Sequence, residues 1–327
     1  MKSNQNILIT GGTGSFGKKF LKMTLKKYNP KKIVIYSRDE MKQWELSKEY
    51  TNDKRVRFFI GDVRDKERLN RALDGINYVV HAAALKIVPT AEYDPFETVK
   101  TNIIGAMNLI DVCINRQIKK VVALSTDKAV NPVNLYGSTK LAADKLFISG
   151  NTYSGFNKTK FSIVRYGNVL GSRGSIVPFL INQKKEKNFF TITDSNMTRF
   201  VTTLDSAVKL VWKTFDDMLG GEIYVDKNPS IKIMNIVKAI DQNKKINFIG
   251  VRPGEKINET MISSEDSRYT YEYGEYYKVL PPIHNWHLDK NRVKKGKKVK
   301  LNFEYSSNSN TDWMSTTQMK NWIKKNF

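Results

Sequence analysis

The first half of the chain alternates between short apolar runs and longer segments in which apolar residues recur at helical spacing. The runs are rich in Val, Ile and Phe and are bounded by Gly, Asp or charged residues, which is typical of buried strands. They span residues 7–10, 32–37, 56–60, 77–81, 121–126 and 161–169. Helices are predicted over residues 18–28, 66–73, 96–116 and 136–149. Repeated strand–helix alternation predicts an α/β fold, a Rossmann-type doubly wound parallel sheet.

The pattern becomes less regular after Gly171, where short apolar patches alternate with loops. We expect a smaller α/β substrate-binding domain in this part, covering a ligand bound at the sheet. The predicted Rossmann domain comprises residues 1–170 and about 200–228, and the substrate domain comprises about 171–199 and 229–327. The tail is Lys-rich from Lys290 onwards and ends in a predicted helix near residues 319–327.

Composition restricts the class of protein. The 327 residues are 40% hydrophobic and 27% charged, which excludes a disordered or fibrous chain. The net charge of +23 is of the kind that attracts nucleic acid, acidic membranes or phosphorylated metabolites. Because the lysines are scattered along the sequence, abundant surface Lys explains the charge more simply. We therefore expect a small-molecule substrate and neither nucleic acid nor membrane as a partner.

Cysteine content and the N-terminal segment bear on the compartment. Cys113 is the single cysteine, so no intrachain disulfide can form, which suits a reducing compartment. No apolar run approaches the roughly 18 residues of a membrane span, and the first residues lack a signal-peptide pattern. We expect a cytoplasmic protein. With one Cys and three His in the whole chain, we expect no metal site.

A glycine-rich loop follows the first predicted strand and opens the first predicted helix. Its glycines stand at Gly11, Gly14 and Gly17. Glycines at this spacing allow a tight turn and let the backbone approach a pyrophosphate at the helix N-terminus. We predict dinucleotide contacts from Gly11, Thr13, Gly14, Ser15, Phe16 and Gly17.

The end of the second predicted strand bears on the choice of dinucleotide. NAD-binding proteins usually carry Asp or Glu there to bind the ribose 2′-hydroxyl. This chain has Ser37 and Arg38, with Lys42 one turn further on. A hydroxyl and two cations suit a 2′-phosphate, so NADP is predicted, although Asp39 and Glu40 weaken the argument slightly. Asp62 and Val63, just after the third strand, are expected at the adenine.

A second set of polar residues predicts acid–base chemistry. Tyr136 and Lys140 are four residues apart and lie on one helix face. A cationic Lys close to a phenol lowers its pKa from about 10, so that the phenol can take or give a proton. Ser125 and Thr126, which end a predicted strand, lie about ten residues earlier, so hydroxyl, phenol and ammonium should meet at one cofactor site. This combination resembles the extended short-chain dehydrogenase/reductase family.

Asp127 and Lys128 directly follow Thr126 and narrow the resemblance. A 4,6-dehydratase oxidises C4 of a sugar, removes the acidified C5 proton, expels the C6 hydroxyl and returns hydride to C6. It therefore needs an acid–base pair that a simple epimerase does not. Most sugar-nucleotide 4,6-dehydratases have Asp-Glu here. Asp-Lys resembles the inverting UDP-N-acetylglucosamine 4,6-dehydratases that begin pseudaminic acid biosynthesis, and Tyr136 argues against the capsule-type relatives that lack this Tyr.

The resemblance covers nearly the whole chain. Its blocks are ITGGTGSFG (9–17), YSRDE (36–40), GDVRD (61–65), HAAALKIVP (81–89), KTNIIGAMN (100–108), LSTDKAVNPVNLYGSTK (124–140), RYGNVLGSRGSIVP (165–178), TITDSNMTRF (191–200) and RPGEK (252–256). It implies catalytic roles for Thr126, Asp127, Lys128, Tyr136 and Lys140. It implies further NADP contacts from Ala82, Ala83, Ala84, Thr101, Tyr136, Lys140 and Val169. It implies substrate contacts from Lys86, Asn168, Val177, Thr193, Arg199, Arg252 and Glu255.

The resemblance also implies a product and an assembly. The product is UDP-2-acetamido-2,6-dideoxy-β-L-arabino-hex-4-ulose, and members of the family form homo-oligomers, often hexamers. Arg252 would meet the pyrophosphate and Glu255 the ribose diol of the substrate. Lys86, just past the fourth strand, would meet substrate phosphate or hydroxyls.

Within this mechanism we assign Lys128 as the base for the C5 proton and Asp127 as the acid for the C6 hydroxyl. This requires a lowered Lys128 pKa, for which Lys86 is a candidate cation. The opposite assignment, with Asp127 as base, fits the sequence as well. Two other functions stay open: a UDP-sugar 4-epimerase or non-inverting dehydratase, and a non-catalytic nucleotide- or polyanion-binding protein.

Overall fold

The computed structural model of the protein describes residues 4–155 and 158–327. Its strands, in chain order, are β1 (Asn6–Thr10), β2 (Lys32–Ser37), β3 (Val56–Ile60), β4 (Tyr78–His81), β5 (Lys120–Thr126), β6 (Lys160–Tyr166), β7 (Asn168–Val169), β8 (Phe189–Ile192), β9 (Thr198–Thr202), β10 (Ile223–Asp226), β11 (Ser230–Lys232), β12 (Lys245–Phe248), β13 (Thr260–Ile262), β14 (Thr270–Glu272), β15 (Tyr276–Val279), β16 (Lys297–Lys298) and β17 (Tyr305–Ser306).

The helices alternate with the strands through the first half, as predicted. In chain order they are α1 (Ser15–Lys27), α2 (Glu40–Glu49), α3 (Lys66–Ala72), α4 (Val88–Tyr93), α5 (Pro95–Val99), α6 (Gly105–Asn115), α7 (Leu135–Tyr153), α8 (Ile176–Glu186), α9 (Leu204–Asp217), α10 (Ile233–Ile240) and α11 (Thr316–Asn326). A π-helical turn over Lys100–Ile104 joins α5 to α6, so the predicted helix 96–116 is continuous but irregular.

One sheet of ten strands forms the centre of the molecule, in the order β16-β14-β15-β10-β6-β5-β4-β1-β2-β3. The seven strands from β10 to β3 run parallel to their neighbours. The order β3-β2-β1-β4-β5-β6 is that of a doubly wound Rossmann sheet, which confirms the predicted fold class. The three remaining strands extend the sheet in antiparallel pairing.

The alternation of side chains along the strands builds a core on each face of this sheet. In β1, Leu8 belongs to one hydrophobic cluster, whereas Ile7 and Ile9 belong to the other. Successive strand residues point to opposite faces, so apolar residues at every position indicate a sheet covered on both sides. Helices on both faces therefore leave the carboxyl ends of the parallel strands as the open edge for a ligand.

The predicted strand over residues 161–169 is wrong as a single element. It divides into β6, in the large sheet, and β7, which pairs with β9 in a small three-stranded sheet. Gly167 lies at the division, where a Cβ would come within 2.5 Å of the Phe200 Cβ. The chain can therefore leave the large sheet only because a residue without a side chain stands at this crossing.

A third hydrophobic cluster lies beneath α8, α10 and α11 and includes Leu180, Ile236 and Met319. This smaller core is separate from the two that cover the sheet. Strands β14, β15 and β16, however, belong to the large sheet although they lie within residues 229–327. The division into domains at about residues 170, 199 and 228 stays a prediction. Among the described residues, no helix combines the length and apolarity that a membrane span requires.

Candidate active site

The glycine loop between β1 and α1 is shaped for a close ligand. Gly11 has φ +65°, and a Cβ there would lie 2.8 Å from the Ala82 carbonyl oxygen; a Cβ on Gly17 would lie 2.3 Å from that of Gly12. Gly14 caps α1 without a side-chain hydrogen bond. The first backbone N–H groups of α1 are thus left for an anion, so the loop fits the pyrophosphate of a dinucleotide.

The remaining residues predicted in this loop lie around its rim. The Thr13 hydroxyl is 2.8 Å from the Ser37 hydroxyl, which ties the loop to the end of β2. Ser15 and Phe16 open α1 and are partly exposed. The loop and the end of β2 therefore form one continuous surface.

Two cations follow β2, the exposed Arg38 and the more tightly paired Lys42. Arg38 exposes 55% of its side chain, and its Nη1 is 3.7 Å from Asp62 Oδ2. Asp39 accepts a hydrogen bond from the Lys42 backbone N–H at 3.0 Å and also pairs with the Lys42 ammonium. The contact of Lys42 with a 2′-phosphate stays a prediction, and in this structure the Lys42 ammonium pairs with Asp39. Glu40 begins α2 and is exposed.

Asp62 lies at the end of β3, where an adenine contact is predicted. It accepts a hydrogen bond from Arg64 at 2.7 Å. Burial opposes ionisation of Asp62, but the Arg64 hydrogen bonds and the Arg64 and Arg38 charges prevail and lower its pKa. Val63 is buried, and a Cβ on Gly105 would come within 2.7 Å of its Cγ2.

The other predicted dinucleotide residues lie after β4, in the π-helical turn and in β7. Ala82 and Ala83 donate backbone hydrogen bonds of 3.2 Å to the Thr10 hydroxyl. Ala84 is exposed, whereas Thr101 is buried in the π-helical turn and its hydroxyl has no partner. The last of the set, in β7, is the half-buried Val169.

The predicted acid–base residues meet at the carboxyl end of β5. Thr126 ends the strand, Asp127 and Lys128 form a turn of 3₁₀ helix, and α7 begins nearby. The Thr126 hydroxyl donates to Asp127 Oδ1 at 2.9 Å. A Cβ on Gly137 would lie 2.2 Å from the Lys128 carbonyl oxygen, so this glycine lets α7 pack directly against the turn and brings Tyr136 to the other three.

The Lys128 ammonium lies between two buried carboxylates. Its Nζ is 3.2 Å from Asp127 Oδ1 and 3.0 Å from Glu259 Oε1. Burial alone would lower the pKa of Lys128, but the charges of Asp127 and Glu259 outweigh it and raise the pKa above its usual value. The expectation of a lowered Lys128 pKa is wrong, because it did not include the second carboxylate, Glu259.

Tyr136 is buried, and burial raises its pKa to about 12, although the Lys128 charge and a hydrogen bond with Thr126 act in the opposite direction. Lys140 is also buried, and its Nζ donates to the Leu124 carbonyl oxygen at 2.7 Å. Burial lowers the pKa of Lys140. The expected lowering of the Tyr136 pKa is therefore wrong, and Lys128 is the cation that acts on its phenol.

Three predicted substrate residues line the same end of the sheet. The Lys86 Nζ donates to the Arg173 carbonyl oxygen at 3.1 Å, and partial burial and the Lys128 charge lower its pKa. Asn168, at the start of β7, has a buried side-chain oxygen without a partner. Arg199, in β9, has its Nε 3.9 Å from Glu259 Oε1. Arg199 therefore lies close to Glu259, and Lys86 lies close to Lys128.

The other predicted substrate residues are paired with each other or at least partly buried. Arg252 and Glu255 pair with each other, so neither side chain is free to meet pyrophosphate or ribose without breaking that pair. Val177 is wholly buried in the smaller core, so its side chain cannot touch a substrate there. Thr193 follows β8 and is half-buried.

Sequence reasoning missed Glu259 and assigned no role to Lys256. Lys256 donates to the Val130 carbonyl oxygen at 2.7 Å, and its pKa is lowered by burial. The segment that carries both residues is fixed to α7, because Asn134, the residue that caps this helix, donates to the Gly254 carbonyl oxygen at 2.7 Å. The signal available in the sequence is position: Glu259 lies three residues after the RPGEK block.

Known proteins resemble this chain over nearly its full length. The family model described as "Polysaccharide biosynthesis protein" matches residues 7–281. UDP-N-acetylglucosamine 4,6-dehydratase (inverting) of Campylobacter jejuni subsp. jejuni is 52% identical, covering 98% of this chain and 97% of its own length. UDP-glucose 4-epimerase of Rickettsia canadensis is 41% identical, covering 94% and 92%. The X-ray structure of Pen from Bacillus thuringiensis matches with a TM-score of 0.91 at 35% identity, covering 99% and 98%.

Proposed function

The chain belongs to the polysaccharide biosynthesis protein family, and from this premise we propose that it is an inverting UDP-N-acetylglucosamine 4,6-dehydratase. The proposed product is UDP-2-acetamido-2,6-dideoxy-β-L-arabino-hex-4-ulose, made as the first step of pseudaminic acid biosynthesis. The proposal also includes a cytoplasmic location and a homo-oligomeric assembly. Large exposed apolar side chains on neighbouring helices, Tyr93 and Phe96, support the assembly.

One observation carries the choice of reaction: an ammonium, Lys128, and a buried carboxylate, Asp127, lie beside the Tyr136 phenol. An epimerase needs one acid–base group for the C4 hydroxyl. A dehydratase needs in addition a base for the C5 proton and an acid for the C6 hydroxyl. Asp127 and Lys128, 3.2 Å apart and next to Tyr136, supply this second pair. This favours the dehydratase over the epimerase, although epimerases are among the relatives.

We propose NADP as the cofactor. A carboxylate that binds a ribose 2′-hydroxyl must be free, yet Asp39 is occupied by both the backbone and the ammonium of Lys42. Arg38 is the exposed cation at the end of β2, and a guanidinium suits a 2′-phosphate. The glycine loop and the N-terminus of α1 would hold the pyrophosphate.

A nicotinamide dinucleotide held by the glycine loop and Arg38 would supply the hydride chemistry at C4 and C6 of the sugar. The side chains of this protein move the protons. Tyr136 would take the proton of the C4 hydroxyl. Of the two assignments left open by the sequence, the contacts of Lys128 favour Asp127 as the base for the C5 proton and Lys128 as the acid that protonates the departing C6 hydroxyl. The C6 oxygen leaves as water, and a proton returned to the opposite face of C5 gives the inverted product.

Incubation of the purified protein with NADP and UDP-N-acetylglucosamine tests the function. We expect a keto sugar lighter by one water, with inverted C5 by NMR, and no need for added reductant because the hydride returns to the same sugar. An unchanged mass with altered C4 configuration would identify an epimerase, and retained C5 configuration a non-inverting dehydratase. Stoichiometric build-up of NADPH at 340 nm during turnover would contradict the internal return of hydride.

Arg38→Glu tests the choice of dinucleotide. We expect NADP binding to weaken about ten- to hundredfold, because a charge-assisted contact is worth roughly 1.5–3 kcal/mol, and NAD binding to change little. Calorimetric titration of both dinucleotides measures the difference. Arg57→Glu, on the neighbouring strand β3, is the control for an added negative charge. Equal losses for NADP and NAD in the Arg38 variant would mean that the substitution damages the fold rather than a phosphate contact.

The alternative of another class is a nucleotide- or polyanion-binding protein without activity. The net charge of +23 is what favours it. A binder has no use for a buried acid–base set, and burying such groups costs free energy unless each is paired. Salt-dependent RNA binding, measured together with absence of turnover, would favour this alternative.

A further inference from the structure

Glu259 is a buried carboxylate that reaches the acid–base residues from a distant segment of the chain. Only 2% of its side chain is exposed. Its backbone N–H donates to the Ser307 hydroxyl at 2.9 Å, and the Ser307 N–H donates to its carbonyl oxygen at 2.8 Å. These bonds fix the backbone on both sides of the Glu259 Cα, so the side chain is held in place just before β13.

The two oxygens of this carboxylate have different surroundings. Oε1 is 3.0 Å from Lys128 Nζ and 3.9 Å from Arg199 Nε. Oε2 is buried and has no hydrogen-bond partner. A carboxylate taken out of water costs much free energy unless a cation compensates it. The contact with Lys128 therefore supplies the compensating cation for the buried Glu259 carboxylate.

We infer that Glu259 is a positioning residue for Lys128: its carboxylate holds the ammonium protonated and fixed 3.2 Å from Asp127. The inference rests on the proposed dehydratase reaction and states which residue donates a proton and which one accepts a proton. An amine held between two carboxylates is a proton donor, so Lys128 delivers a proton to the C6 hydroxyl. Asp127, whose Oδ2 is buried without a partner, keeps a free lone pair for the C5 proton.

Several charged or titratable groups face Lys128 and together determine its pKa. The titratable and charged groups that surround it are Asp127, Glu259, Arg199, Tyr136, Lys86 and Lys256. The three cations among them oppose protonation of Lys128, and a single carboxylate would have to offset all three. The second carboxylate, Glu259, raises the pKa of Lys128 against these cations, so removal of Glu259 alone should lower that pKa.

Glu259→Gln keeps the size of the side chain and removes its charge. We expect the pKa of Lys128 to fall, and the basic limb of the pH profile for dehydration to move to lower pH by about 1–3 units. The sign follows because the protonated amine is the active form. C4 oxidation, followed as transient absorbance at 340 nm, depends on Lys128 only through its charge near the Tyr136 phenol, so its pH dependence should shift less. Glu259→Asp, which retains the charge, should return the profile towards that of the wild type.

A readout without substrate measures the same property directly. Trace acetylation of Lys128 with acetic anhydride at a series of pH values, followed by peptide mass spectrometry, gives its titration midpoint against the exposed lysines of the same sample. In the wild type we expect the Lys128 midpoint to lie above the midpoints of the exposed lysines. In Glu259→Gln we expect the Lys128 midpoint to lie below its wild-type value. A wild-type midpoint below that of the exposed lysines would overturn the inference, even if the Gln variant did not fold.

Glu222→Gln is the matched control. Glu222 is equally buried and pairs with Arg292 at 3.0 Å, but it precedes β10 at the opposite end of the sheet. Its loss should lower thermal stability and leave the pH profile and Lys128 labelling unchanged. A profile in Glu259→Gln that matches this control would show a merely structural role. Absence of any keto sugar from the wild type would instead contradict the proposed function, while the labelling result would still decide the Lys128–Glu259 contact.

Discussion

Lys128→Ala is expected to slow dehydration by about a hundredfold or more, while some C4 oxidation remains. The reason is that C4 oxidation depends chiefly on Tyr136, whereas expulsion of the C6 hydroxyl needs the ammonium at Lys128. In heavy water the wild type should place deuterium at C5 with inverted configuration. Mass spectrometry and NMR of the sugar measure both steps, and absorbance at 340 nm follows the first.

The Ala variant leaves two buried carboxylates without their cation, which costs about 3–5 kcal/mol of stability. Lys128→Gln, which retains a hydrogen-bond donor, is therefore the second variant, and thermal unfolding separates loss of fold from loss of chemistry. Lys120→Ala is the control, because Lys120 begins the same strand β5 at its far end and donates to a backbone oxygen. Normal dehydration with deuterium at C5 in both Lys128 variants would show that the proposed mechanism is wrong.

Tyr136→Phe is expected to lower turnover by about a hundredfold or more, because it keeps the ring and deletes the group that takes the C4 hydroxyl proton. Burial raises the pKa of this phenol to about 12, so its proton leaves only with help from neighbouring charge and hydrogen bonds. We expect the loss in kcat and in the first oxidation step alike, measured in single turnover at 340 nm.

Tyr224→Phe is the matched control for this variant. Tyr224 is a buried phenol that donates to Asp217 at 2.7 Å, on a strand of the same sheet but outside the site. Its loss should affect stability and leave turnover within a few-fold of the wild type. If Tyr136→Phe were equally active, the role of base for the C4 hydroxyl would pass to Asp127 or Lys128.

Several elements follow from local sequence alone. Strands β2 and β3 have the predicted bounds, because each is a short apolar run closed by polar residues or glycine. By contrast, α2 was not predicted. Its buried residues are Gln43 and Leu46, too few for an apolar face, and it is stabilised instead by the Asp39 cap at its N-terminus. The antiparallel strands β14 and β15 were also missed, since four residues or fewer give little periodicity.

The sequence by itself determined the α/β class, the glycine loop and the candidates Thr126, Asp127, Lys128, Tyr136 and Lys140. The loop depends on a backbone that tolerates no Cβ, and the Tyr136–Lys140 pair on a spacing that places two side chains on one helix face. Asp127 and Lys128 were assigned through the family resemblance. Only the tertiary structure decided the charge state that these groups prefer. Glu259 joins Lys128 from a distant segment, and the charges of Glu259 and Asp127 outweigh the effect of burial and reverse the pKa shift expected for Lys128.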